Sequence, residues 1–278
     1  MNEIVNYFQT IPSSHRSMIL VGGITLFWLI ENAFPFFKFK YSKWNHAGIN
    51  FFFTFTSILI NFVLAFILLK TGSWTIENNF GILQWLPTLP TWLYACIGLL
   101  LLDFFGAYLA HFVEHKVKFL WRFHLIHHTD TWIDTTSGNR HHPGESVIRF
   151  LFTTLGVLIV GSPIWMIFLY QTLSVVSTQF THANISLPDK LDLFLSYFIV
   201  SPTMHKIHHH YQLPYTDSNY GNIFSIWDRL FGTYSIMPKE AIIYGVDTHM
   251  NPELHNKLSN LLKIPFQSAE TFVLESKK

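Results

Sequence analysis

The sequence predicts an all-α integral membrane protein, with three to four helical spans, a broken helical hairpin, and a histidine-rich two-metal site on its cytoplasmic face. Three observations predict it. Half of the 278 residues are hydrophobic and only 13% are charged, against a charged share of roughly 25% in soluble domains. Four apolar stretches approach or exceed the ~20 residues that a helix needs to cross a bilayer. Finally, many of the 16 histidines fall in three short clusters with helical spacing.

The first apolar stretch, residues 17–37, follows a polar start that lacks a cleavable signal pattern. It reads as a retained anchor, interrupted by Glu31 and Pro35. The second stretch is 50–69 and the third 92–112. The fourth, 147–180, is broken at Gly161-Ser162-Pro163, where Gly and Pro together mark a turn. Its first arm, 147–160, would be about 21 Å long at 1.5 Å per residue. That is short of the ~30 Å hydrocarbon core, so a hairpin that dips in and returns is expected. Residues 74–92, with Trp74, Trp85 and Trp92, read as an aromatic-belt connection on the opposite face. Residues 191–200 are too short to span and are expected at the interface. The polar tail after Met250 is expected to be peripheral. The whole chain, 1–278, reads as one membrane domain.

Lys38, Lys40 and Lys43 follow the first stretch, which places that loop in the cytoplasm by the positive-inside rule. Two crossings later the histidine loop returns to the same side, and it carries Lys116, Lys118, Arg122 and Arg140. The net charge of +1 and the lack of a basic run give no reason to expect a nucleic-acid partner. The single Cys96 excludes a disulfide framework and a thiolate metal site.

The clusters read His111-Phe-Val-Glu-His115, His124-Leu-Ile-His127-His128 and His205-Lys-Ile-His208-His209. Positions i, i+3 and i+4 share one face of a helix, so each cluster can aim two or three imidazoles at one point. Eight such nitrogens exceed one four-coordinate site and suit two metal ions held close together. Each copy of H-x-x-H-H is expected to serve one half of the pair. His182, at the end of the returning hairpin arm, is a further candidate ligand. His142 could be a ligand or an orienting residue. His15, His46, His249 and His255 are isolated, and His210 points about 100° away on a helix. Asp103 lies within the third span, where a carboxylate is costly and usually has a task. Two turns before His111, it is expected to orient a ligating imidazole. Asp217, Asn219 and Asp228 could do the same near the third cluster, or simply form turns. All-imidazole sites suit iron, zinc, copper or nickel. A paired iron site at a membrane face points to dioxygen chemistry on a lipid C–H bond.

On these residues the chain resembles the fatty acid hydroxylase/sterol desaturase superfamily. The matching motifs are the three histidine clusters, Arg140-x-His142-Pro143-x-Glu145, the stretch Gln179 to Asn184, and Asp217-Ser-Asn-Tyr-Gly221 leading to Trp227-Asp-Arg-Leu-Phe-Gly-Thr233. Together they run from about Asp103 to Tyr234, the expected catalytic core. The resemblance implies a non-haem di-iron oxygenase that hydroxylates or desaturates a lipid with dioxygen and two external electrons. It implies iron ligands at His111, His115, His124, His127, His128, His182, His205, His208, His209 and His142, supported by Asp103, Glu145, Asn184, Asp217, Asn219 and Asp228. The chain is most similar to short bacterial-type members, which implies the bacterial inner membrane. It departs from members that carry two histidines near His182, since Thr178 and Ser186 occupy the i±4 positions. No cytochrome-like segment or dinucleotide fingerprint is present, so a separate ferredoxin- or cytochrome-type donor is expected. Two rivals stand beside this reading. His111-x-x-Glu114-His115 also spells a zinc-protease pattern, and a non-enzymatic metal carrier would use the same ligand types. A haem held by paired histidines is a third.

Overall fold

The computed structural model describes residues 1–267. The chain is helical, and among the described residues β-pairing is confined to isolated bridges. In order come α1 (Asn2–Gln9), α2 (Ser13–Ala33), α3 (Lys43–Glu77), α4 (Ile82–Trp85), α5 (Thr91–Asp103), a π-turn (Phe104–Tyr108), α6 (Leu109–Lys116), α7 (Lys118–His128), α8 (Pro143–Val160), α9 (Ile164–His182), α10 (Asp189–Ser196), α11 (Pro202–His208) and α12 (Ile226–Leu230), followed by short helical turns.

Among the described residues, three helical segments are long and apolar enough to cross a membrane: Lys43–Trp85, Thr91–Lys116 and Pro143–Val160. The set differs from expectation at two places. The expected first span is not among them. It forms α2, which ends at Ala33, just before Pro35, and carries His15, Arg16 and Glu31 near its ends. Conversely, α8 is longer than its apolar run. Pro143 occupies the first helical turn and His142 caps it, positions that favour a helix start. The resulting 18 residues reach about 27 Å, close to a full span.

Side-chain pairing orients these helices. Glu31, at the end of α2, accepts from the backbone N–H groups of Thr135 and Asn184. At the other end, Gln84 donates to the Gly161 carbonyl at 2.7 Å. Gly161 closes α8 with φ 72°, and a Cβ there would lie 2.5 Å from the Phe80 carbonyl oxygen. Only glycine tolerates both constraints. The α8–α9 turn therefore docks on the 78–86 connection. The ends of α2, α6 and α9 and the starts of α3 and α8 gather at the opposite pole. The apolar core lies between, built from Leu102, Phe150, Val157, Val160, Met166 and Ile167 with their neighbours.

The long helix α3 divides its work. Its first turns bury His46, Ala47, Asn50 and Phe53 against the histidine pole. Its middle leaves Phe55, Phe62, Val63 and Phe66 more than 60% exposed, a face that only lipid would cover without cost. Helix α10 likewise leaves Leu191, Leu193 and Phe194 exposed, as an interfacial helix does. The tail is less peripheral than its polarity predicts: Leu261 and Ile264 are buried with Phe53, Leu125 and Ile126. Beyond residue 267 it lies outside the described residues.

Candidate metal centre

Nine of the ten expected ligands meet in two adjoining groups. His111, His115, His124, His128 and His208 form the first, and His127, His182, His205 and His209 the second. Within each group, one nitrogen from every ring lies within 4.8 Å of the others. The groups touch, with the His128 ring of the first 4.6 Å from the His209 ring of the second. Each H-x-x-H-H copy was expected to serve one half of the pair. Instead, each copy feeds both. His124 and His128 join the first group while His127 joins the second, and His205 and His209 join the second while His208 joins the first. On a helix, i and i+4 nearly eclipse, whereas i+3 and i+4 diverge by about 100°.

The outward nitrogens fix the inward ones. The Nδ1–H of His111 donates to the Tyr220 carbonyl at 2.9 Å, that of His182 to Thr178 at 2.8 Å, and that of His208 to Ser218 at 2.6 Å. His124 Nδ1 faces Glu145 at 2.7 Å and His115 Nδ1 faces Asp217 at 3.2 Å. Carbonyls and carboxylates can only accept, so these five rings carry the proton on Nδ1 and turn an Nε2 lone pair inward. His111 Nε2 and His124 Nε2 then face each other at 3.1 Å with no proton between them. The Nε2 atoms of His115 and His208 are buried without a partner. Such an arrangement is repulsive unless a cation sits among the lone pairs. The spacings agree. Neighbouring Nε2 atoms lie 2.9–3.2 Å apart, close to the edge of a coordination shell with metal–nitrogen bonds of about 2.1 Å. The residues fit two metal ions. Burial, reinforced by neighbouring imidazoles, holds His124, His127, His128, His205 and His209 far below the usual histidine range, so they stay neutral and able to ligate.

His142 lies elsewhere. Its Nδ1 accepts from the Gly144 N–H at 2.9 Å, and its ring packs on Phe123 and Phe266. The neighbouring His141 lies beside the histidine groups, stacked 4.8 Å from His127 with its Nδ1 2.7 Å from Glu145. Its spacing of four residues before Glu145 on a capped helix start was the available signal.

The supporting carboxylates divide in two. Glu145 and Asp217 touch imidazoles directly. Asp103 does not: it accepts from the N–H groups of Ile223 and Phe224 and from Trp227 Nε1. The π-turn between Asp103 and His111 breaks the α-register on which the expectation rested. Asp228 accepts from the N–H groups of Tyr220 and Gly221, and so steadies the carbonyl that orients His111. Asn219, at φ 54°, bonds Met204 and Ser235, and Asn184 bonds both backbone groups of Phe37. Sequence reasoning did not single out Arg149 or Tyr220. Arg149 bridges Glu114 at 2.7 Å and Glu145 at 2.9 Å, so that Glu114 is paired with an arginine. Tyr220 is fully buried against His111, His115 and His208. A narrow cleft reaches the rings between Ala107, Gly138, Thr178 and Asn222.

A model of the fatty acid hydroxylase family matches residues 95–233, half of the chain and all of the expected ligand set. The chain belongs to the fatty acid hydroxylase family. Its relatives include an ornithine lipid hydroxylase, OlsE, of Rhizobium tropici, 27% identical over 56% of this chain and 46% of that protein. The human alkylglycerol monooxygenase is 26% identical over 58% of this chain and 34% of its own length. A cholesterol 25-hydroxylase-like protein of Danio rerio is 25% identical over 64% and 63%. The chain thus spans less than two thirds of these relatives. No solved structure matches it. The apolar helices and the family membership make this an integral membrane protein.

Proposed function

We propose that this protein is a di-iron lipid hydroxylase that inserts one atom of dioxygen into a C–H bond of a bilayer lipid. The observation that carries the reading is the nine-imidazole double group with opposed lone pairs. All-nitrogen ligation at two adjoining points suits iron, and with iron bound the site would supply dioxygen activation. In balance, RH, O2, two electrons and two protons give ROH and water. The electrons come from a separate ferredoxin- or cytochrome-type protein. His111, His115, His124, His128 and His208 hold one ion, and His127, His182, His205 and His209 the other. Glu145 and Asp217 keep their imidazoles in the ligating tautomer. Tyr220 excludes water from the first group, and the cleft at Thr178 and Asn222 admits the lipid. The domain is the whole chain, its core 103–234, and the lysine-bearing pole faces the cytoplasm of a bacterial inner membrane.

The zinc-protease reading is disfavoured by the Glu114–Arg149 pair, because the general base of such an enzyme must face the metal. The test is metal analysis of the detergent-purified protein after growth with iron, followed by a product screen with a bacterial lipid extract, dioxygen and a reduced ferredoxin. Two irons per chain and a lipid gaining 16 mass units support the proposal. One zinc after iron reconstitution, or haem absorbance, overturns it.

A further inference from the structure

Lys206 stands between two ligands, His205 and His208, and its side chain is completely buried. A buried ammonium is costly unless its protons are taken up. Among the described residues no carboxylate lies within ion-pair reach of it. Its Nζ donates instead to the Ala183 carbonyl at 2.7 Å, with the Thr181 and Pro202 carbonyls at 3.4 and 3.5 Å, and it lies 5.3 Å from the centre of the Phe36 ring. Thr181 and Ala183 flank His182 at the end of α9, where unpaired carbonyls and the negative end of the helix dipole gather. One side chain therefore ties the terminus that bears His182 to the helix that bears His205 and precedes His209. Across that tie, His182 Nε2 and His205 Nε2 lie 2.9 Å apart. No other ligand comes from α9.

We infer that Lys206 is the positioning residue of the second metal group: its Nζ hydrogen bonds fasten the carbonyl end of α9 to α11 and so set the His182–His205 spacing. The inference rests on the metal-centre reading above. The first group draws nothing from α9, so the effect is selective. Lys239 provides the control, because it also lies beside Phe36, at 5.7 Å, but donates to the Leu187 carbonyl instead.

The experiment is iron(II) binding to the detergent-solubilised, metal-free full chain by equilibrium dialysis, for wild type, Lys206→Met, Lys239→Met, His182→Ala and the double variant His182→Ala/Lys206→Met. The expected result is two sites in wild type and Lys239→Met, and weakening of one site by tenfold or more in Lys206→Met. In the His182→Ala background, Lys206→Met should change binding less than twofold. Two undisturbed sites in Lys206→Met overturn the inference while leaving the metal centre intact. So does an equal further loss in the His182→Ala background, which marks a general packing role. Absence of iron from wild type overturns both readings.

Discussion

Glu145 shows how much chemistry one side chain carries at this centre. It takes the Nδ1–H of His124 and His141 and the guanidinium of Arg149 at once. Glu145→Gln keeps the shape but loses the charge that makes His124 a strong donor. Loss of such an outer partner lowers metal affinity by about 10–100-fold, and iron(II) titration should show a loss in that range. Asp217 has a partly exposed carboxylate shared with Lys116, so Asp217→Asn should cost less. At the ligands themselves, His127→Ala should empty the second group and His208→Ala the first. Both variants should still enter the membrane, because the apolar core does not involve these rings. Iron content and product formation measured beside membrane yield will check this, and full activity in either variant would refute the ligand assignment.

At the scale of elements, the helix boundaries aim the ligands. The π-turn at 104–108 holds Tyr108 against Tyr220 and Phe231 and lets α6 present both His111 and His115 to the first group. The αL glycine at 161 is the counterpart at the other pole. Gly161→Ala combines a left-handed backbone, costing a non-glycine residue about 1–2 kcal/mol, with a Cβ driven into the Phe80 carbonyl. Thermal unfolding in detergent should therefore fall by several degrees while iron content per folded chain is retained. Loss of iron without loss of stability would mean that the hairpin turn reaches the metal centre after all.

For the molecule as a whole, burying a basin of neutral imidazoles has a cost that depends on pH. The five histidines of α7, α11 and the residue after α11, at 124, 127, 128, 205 and 209, have folded-state pKa values well below that of the unfolded chain, about 6.5. Below that pH the unfolded chain binds protons that the folded chain refuses, so stability falls as pH falls. Above it, neither state is charged at these sites and the penalty is absent. The metal-free protein should accordingly melt at a distinctly lower temperature at pH 5.5 than at pH 7.5. Iron should raise the melting temperature at pH 7.5 and lose this effect as protons compete for the ligands. A melting temperature unchanged by iron at pH 7.5 would contradict a metal held by folded-state ligands.

By itself, the sequence determined that the chain is a helical membrane protein and which histidine clusters come together, His142 excepted, because apolar length and the i, i+3, i+4 spacing are local properties of a helix. The Gly161-Ser162-Pro163 break was legible as well, as a turn between α8 and α9. Only the tertiary structure decided how the ligands divide. Whether His127 turns toward His124 or toward His182 depends on where α9 ends, and His182 lies 55 residues away. It decided that His141 rather than His142 packs against the clustered histidines, because the capping bond to Gly144 claims His142. It turned Asp103 to the 223–227 backbone, since a π-turn changes register without a plain sequence mark. It also brought His46 against Asp130 at 2.9 Å, although in sequence that histidine stands alone. The His127–His182, His46–Asp130 and Asp103–Ile223 pairings join residues 55 to 120 positions apart, and no local period records them.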